Sequence, residues 1–179
     1  MTNSPPTNSS CWVVPKKLLA GAYPGAAEAD AHQQKIEQLL DGGVQVFLSL
    51  MEADETNHEG KQFTPYEAEV LTQNPEAKCV RFPIVDCDVP TQSEMSEILD
   101  AIDSYHENGK AVYVHCWGGV GRTGTVVACW LLRKGLATTE NVFEVLQQLR
   151  QHDRERGFRR SPETDIQWQF VREWNKYAS

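Results

Sequence analysis

The sequence predicts an α/β fold, a single domain with a central, mainly parallel sheet of about five strands flanked by helices. Three observations point to it. Short apolar runs with β-branched content alternate with segments whose apolar residues recur at helical spacing. Strands and helices alternate in the first half, and helices dominate the second. The 179 residues, 40% hydrophobic and 23% charged, suit one soluble domain with a real core.

Residues 1–10 are Thr, Asn, Ser and Pro after Met1. They carry no basic or apolar stretch of a signal peptide and are expected as a disordered tail, leaving residues 11–179 as the domain. Trp12-Val13-Val14 and Leu18-Leu19-Ala20 read as two short strands around Pro15-Lys16-Lys17. Glu28 to Asp41 is a helix with Ile36, Leu39 and Leu40 on one face, closed by Gly42-Gly43. Val44 to Leu50 is a nearly unbroken apolar run, as in a buried strand. Glu52 to Thr64 is polar and read as a surface loop, and Pro65 opens a short helix through Gln73.

Cys79 to Ile84 is the next strand. Thr91 or Ser93 caps a helix to about Glu107 whose stripe is Met95, Ile98, Leu99, Ile102 and Tyr105. Gly109 ends it. Ala111 to His115 is the central strand. Helices are expected over about 123–134, 139–151 and 162–177. The last begins at Ser161 as cap and Pro162 at the first helical position, with Ile166, Phe170, Val171, Trp174 and Tyr177 at helical spacing. Trp12, Trp130, Trp168 and Trp174 read as core.

Composition narrows the function classes. Lys and Arg number 17 against 25 Asp and Glu, a formal net charge of −8. Such a chain is not built for general binding to nucleic acid or an anionic membrane. The longest apolar run, Val126 to Leu132, is too short for a membrane span. Cys11, Cys79, Cys87, Cys116 and Cys129 form neither a Cys-x-x-Cys pair nor a zinc spacing. They read as reduced thiols of a cytoplasmic protein without a metal site.

The chemistry concentrates in His115-Cys116-Trp117-Gly118-Gly119-Val120-Gly121-Arg122-Thr123, between a strand and a helix. Gly118, Gly119 and Gly121 allow a sharp turn that aims successive N–H groups inward, and the helix dipole adds to the same point. Trp117 through Arg122 thus form a phosphate-binding loop. Cys116 faces this positive field, which favours the nucleophilic thiolate. Arg122 offers a planar fork to two phosphate oxygens. Thr123 can donate a hydrogen bond to the sulfur as it leaves. The loop lacks the Gly-Lys-Ser/Thr of a nucleotide P-loop.

This run resembles the Cys-x5-Arg-Ser/Thr signature of the cysteine-dependent protein tyrosine phosphatase superfamily. The surroundings are similar to its dual-specificity branch across about residues 12–175. The resemblance implies a protein tyrosine phosphatase-like fold, a cysteinyl-phosphate intermediate and no metal or cofactor. It implies Cys116 as nucleophile, Arg122 as phosphate clamp, Thr123 as helper hydroxyl and His115 as a residue that tunes the thiolate rather than a base. Pro83-Ile84-Val85-Asp86-Cys87-Asp88-Val89-Pro90 resembles the family's Pro-Ile-x-Asp-x-x-x-Pro segment, which makes Asp86 the general acid. Asp88, two residues on, is the competitor.

The implied partner is a phosphorylated protein carrying phosphotyrosine or phosphoserine/threonine, acted on by a monomer. Other readings remain beside it: a non-catalytic phosphate-binding module, a phosphatase for lipid, nucleotide or RNA phosphoesters, and a rhodanese-like sulfurtransferase, whose loops lack this glycine and Arg-Thr arrangement. Cys87, and with less support Cys79, is a candidate second thiol for the nucleophile or a packed residue. Arg150, Arg154, Arg156, Arg159 and Arg160 form a basic cluster that either recruits an anionic substrate or is a solvated segment. Trp117 is a candidate for the pocket rim.

Overall fold

The computed structural model describes residues 4–174. Five strands, β1 (Ser10–Val14), β2 (Leu18–Gly21), β3 (Val44–Ser49), β4 (Lys78–Arg81) and β5 (Ala111–His115), form one sheet in the order β1-β2-β5-β3-β4. Only β1 runs antiparallel, to β2; the other pairings are parallel. Six helices flank this sheet among the described residues: α1 (Ala29–Asp41), α2 (Glu67–Gln73), α3 (Gln92–Glu107), α4 (Arg122–Arg133), α5 (Val142–Arg150) and α6 (Asp165–Trp174). The expected α/β architecture forms.

The central strand shows why both faces are covered. Val112 and Val114 join one cluster with Leu18, Leu48, Ile98 and Val126, under α3 to α6. Tyr113 points the other way, to Leu19, Ile36, Phe47 and Val70, under α1 and α2. This is the period-two alternation of a strand. Each such side chain taken from water contributes roughly 1.5–3 kcal/mol, so β5 is fixed between two apolar layers. β3 and β2 flank it, and the carboxyl ends of β2, β3 and β5 meet at one edge. That edge is where open parallel sheets bind ligands.

Local signals set most boundaries. α3 starts at Thr91 and not Ser93: Thr91 Oγ1 accepts from Glu94 N at 3.2 Å while Glu94 Oε2 accepts from Thr91 N at 2.7 Å. Gly43 and Gly109 follow the ends of α1 and α3 with φ of +94° and +71°, the left-handed conformation that glycine supplies.

Four expectations need correction. Residues 4–10 do not form a free tail: Thr7, Ser9 and Ser10 are buried, and Asn8 O accepts from Arg154 N at 2.8 Å and Glu155 N at 3.3 Å. Residues 1–3 lie outside the described residues. The strand expected over 79–84 is only Lys78–Arg81, though Phe82 N and Ile84 N still donate to Ser49 O and Leu50 O at 2.9 and 3.0 Å. α6 starts at Asp165, three residues later than Pro162, because Ser161 Oγ donates to Val120 O at 2.6 Å instead of capping. Its buried face is Gln167, Phe170, Val171 and Trp174; Ile166 is half exposed, Trp168 is part-buried, and Tyr177 lies outside the described residues.

Candidate active site

The loop Cys116–Gly121 leaves β5 and ends where α4 begins at Arg122. Five of its six backbone carbonyls are each taken by a different part of the chain. Cys116 O accepts from His115 Nδ1 at 3.2 Å and Trp117 O from Tyr23 N at 2.8 Å. Gly119 O accepts from Arg150 Nη1, Val120 O from Ser161 Oγ at 2.6 Å, and Gly121 O from Thr125 Oγ1 at 2.9 Å. In a planar trans peptide the N–H points opposite to the carbonyl. The outward bonds therefore turn the N–H groups of Trp117, Gly118, Val120, Gly121 and Arg122 to the other side, toward the bowl of the loop. That is an anion cradle. Of the three loop glycines only Gly119 has a left-handed φ, +68°. A Cβ there would lie 2.5 Å from the Gly21 carbonyl carbon, so the turn and the close approach to β2 both require glycine.

Cys116 is buried at the base of the bowl, 3% exposed. Thr123 Oγ1, one residue past the arginine, is buried without a hydrogen-bond partner. His115 is fully buried beside them. Its Nδ1 faces Cys116 O, which can only accept, so Nδ1 carries the proton and Nε2 accepts from Tyr66 Oη at 2.8 Å. Burial pushes the His115 pKa down to about 3, against the opposing hydrogen bond to Cys116 O and with help from Arg81, Lys35 and Arg122. A neutral ring holds the loop by geometry and brings no charge to the sulfur.

That buried neutral histidine makes stability pH-dependent. The unfolded chain takes up this proton near pH 6.5, while folded His115 stays neutral down to about 3. Its stabilising contribution is complete above pH 6.5 and is lost as pH falls, at about 1.4 kcal/mol per pH unit. Urea unfolding between pH 6.5 and 4.5 should show a flatter slope in His115→Gln by about that amount. Equal slopes in the two proteins would contradict it. His106, also lowered by burial, is common to both.

Arg122 is 2% exposed and its fork is already engaged. Nη1 donates to Glu55 Oε2 at 2.7 Å and Ile84 O at 3.0 Å; Nη2 donates to Glu55 Oε1 at 2.8 Å and meets Asp86 Oδ1 at 2.9 Å. Burial opposes the charge, but the Glu55 hydrogen bonds and the neighbouring charges raise the Arg122 pKa above its ordinary value. A guanidinium has five N–H groups. Glu55 and Ile84 hold three, so Nε–H and the Nη2–H now shared with Asp86 are the two that can meet an oxyanion.

Asp86 and Asp88 separate cleanly. Asp86 lies on the cleft with Cys116 and Arg122. Asp88 Oδ1 accepts from its neighbour Val89 N at 2.8 Å, off that cleft. Cys87 lines the same cleft, exposed and with a left-handed φ of +63°; Cys79 sits on β4, half-buried, its thiol pushed up to about 11 by burial. All five cysteines are free. The cleft measures about 310 Å³. Trp117 forms part of its wall, with its ring 5.5 Å from Phe63 and 4.3 Å from His58. Among the described residues no group of three or more His, Cys, Asp or Glu is placed to hold a metal ion.

The arginine cluster does not act as one surface. Arg150 is 3% exposed and holds Gly119 O and Arg156 O from inside, which corrects its reading as part of an exposed basic patch. Arg156 and Arg159 reach the cleft. Arg160 lies over the Trp168 ring and pairs with Asp165.

Glu55, Tyr66, Arg150, Ser161 and Gln167 all shape the site and escape the motif. Glu55 stands among Glu52, Asp54 and Glu59 in a polar loop, and nothing local marks which of them meets the arginine. Only the need of a buried guanidinium for a carboxylate announces that some acid must.

A thiol and a clamped guanidinium on one anion-binding loop, at the carboxyl edge of a mainly parallel sheet, define a cysteine-dependent phosphatase domain. The chain belongs to the family described as PTP-SAK, Swiss Army Knife protein, DSP-PTPase phosphatase domain, matched over residues 7–169. Uncharacterized protein MJECL20 of Methanocaldococcus jannaschii is 40% identical over 94 residues, 52% of this chain and 57% of that one. Phosphatidylglycerophosphate phosphatase PTPMT2 of Arabidopsis thaliana is 29% identical over 141 residues, 74% of this chain and 52% of that one. The chain thus spans about half the length of these curated relatives. The fold is similar to kinase associated phosphatase with its catalytic-site cysteine replaced by serine, at TM-score 0.71 and 22% identity, covering 95% of this chain and 94% of that one. No helix among the described residues is long and apolar enough to cross a membrane.

Proposed function

We propose that the chain hydrolyses phosphomonoesters through a cysteinyl-phosphate intermediate. The observation that carries the reading is that Cys116, Arg122 and Asp86, from two separate loops, line one cleft, with Asp86 touching Arg122 at 2.9 Å. Incoming phosphate displaces the Asp86 carboxylate from Nη2 and takes that donor, Nε–H and the inward N–H groups of Trp117, Gly118, Val120, Gly121 and Arg122. The Cys116 thiolate attacks phosphorus in line as the ester P–O bond breaks. Asp86, released from the guanidinium and protonated from solvent, passes that proton to the departing oxygen. Water then attacks the phosphocysteine, its proton returns to Asp86, and the P–S electron pair goes back to sulfur. The unpaired Thr123 hydroxyl is the donor for that returning thiolate. His115 serves by fixing the loop.

For substrate we propose phosphotyrosine and phosphoserine/threonine in proteins. The support is an open cleft with an aromatic wall of Trp117 and His58, the Trp117 ring backed by Phe63, and a phosphate loop free of lysine. A second reading, a phosphoester of a lipid headgroup, is favoured by the likeness to PTPMT2 and by Arg156 and Arg159 on the cleft.

The test is hydrolysis of phenyl phosphate and 4-nitrophenyl phosphate by wild type and Asp86→Asn. Loss of the acid should lower kcat/KM about 10²-fold on phenyl phosphate, whose leaving group is poor, and far less on the activated ester. Asp88→Asn should behave as wild type. Clean wild-type protein that binds phosphate without turnover would favour a binding module. A panel of phosphopeptides and phosphatidylglycerophosphate vesicles decides between the two substrate classes.

A further inference from the structure

The N-terminus of α6 carries a capping box that reaches beyond its own helix. Gln167 N donates to Thr164 Oγ1 at 3.4 Å, and Thr164 N donates to Gln167 Oε1 at 3.1 Å. Each side chain has a donor left after this exchange, and both donors go to the loop that carries Asp86. Thr164 Oγ1 donates to Cys87 O at 3.2 Å, and Gln167 Nε2 donates to Asp88 O at 3.1 Å. The tie crosses 77 and 79 residues of sequence. It grips two consecutive carbonyls just past Asp86, where Cys87 holds a left-handed φ and Val85 to Asp88 are exposed.

The same segment grips the phosphate loop. Ser161 Oγ donates to Val120 O at 2.6 Å, and a Cβ on Gly121 would lie 3.0 Å from Gln167 Oε1. Gln167 itself is 0% exposed and lines the cleft with Cys116 and Asp86. Glutamate would serve a capping box as well as glutamine does. Only the amide also donates to Asp88 O, so the residue type fits the second contact and not the cap alone.

We propose that Gln167, with Thr164, is a positioning residue for proton transfer: the α6 capping box braces the acid loop against the phosphate loop and sets where the Asp86 carboxyl stands relative to the leaving oxygen. The inference rests on Asp86 being the general acid. Displacements of about 1 Å in a reacting group lower rates by as much as about 10²-fold, so a loosened brace should act on the step that uses the acid.

The readout is the ratio of kcat/KM for 4-nitrophenyl phosphate to that for phenyl phosphate, in which losses common to both substrates cancel. Gln167→Glu keeps the capping box and removes the donor to Asp88 O; Gln167→Met removes both. Both should raise the ratio about tenfold, and Thr164→Val about threefold. In an Asp86→Asn background Gln167→Glu should leave the ratio where Asp86→Asn alone put it. Circular dichroism and Tm confirm folding, for which Gln167→Glu is the conservative arm. If Asp86→Asn moves the ratio and neither Gln167 variant does, the brace is overturned and the acid stands. If Asp86→Asn does not move it, the acid assignment fails and the brace with it.

Discussion

Cys116→Ser is expected to abolish turnover, with kcat falling about 10⁴-fold or more, as for removal of a covalent nucleophile elsewhere. Serine replaces sulfur by a poorly ionised hydroxyl in nearly the same volume. The carbonyl bonds that shape the loop involve Tyr23, Arg150, Ser161, Thr125 and His115 and not the thiol. The variant should therefore still bind inorganic phosphate with near wild-type affinity and unfold at a similar Tm. Acid quenching of wild type during turnover of a ³²P-labelled aryl phosphate should trap label on protein, and Cys116→Ser should trap none. Activity within tenfold of wild type in Cys116→Ser would remove the covalent route.

Arg122→Ala combines two effects. Loss of the fork removes the donors that meet the developing phosphoryl charge, and about 10³-fold in kcat/KM should go with it. The same change leaves the Glu55 carboxylate, whose side chain is 9% exposed, without its bidentate partner. An uncompensated charge of that kind destabilises by about 3 kcal/mol. The double variant Arg122→Ala, Glu55→Gln should accordingly be more stable to urea than Arg122→Ala alone while remaining inactive. Additive losses would show that the pair seen here is not formed in solution. Arg122→Lys keeps charge without the planar fork, so it should recover stability more than activity.

These two residues could be named from the chain alone because they sit in one contiguous loop, where spacing and geometry coincide. Much of the sheet was accessible too: Val44 to Ser49 and Ala111 to His115 are short, largely apolar runs that each follow a glycine-ended helix. What sequence could not supply was long-range choice among equivalent groups. Ser161-Pro162 carries the local marks of a helix start, yet Val120 O takes the Ser161 hydroxyl and Thr164 caps α6 instead. Arg150 belongs by composition to a basic run, yet it turns inward because Gly119 O and Arg156 O need a donor there. Glycine count also overstated its case: Gly118 and Gly121 have no left-handed φ, and only Gly119 does.

The outward bonding of the phosphate loop has a wider implication. Five spokes run from this hub to the loop after β2, to β5, α4 and α5, and to the stretch before α6. The bowl is held by the protein's own hydrogen bonds, which lowers the cost of ordering it around an anion. Its affinity can then drift through substitutions at the far ends of the spokes, at positions that never meet a substrate. A lineage could retune this domain for a new phosphoester while leaving every residue of its signature run untouched.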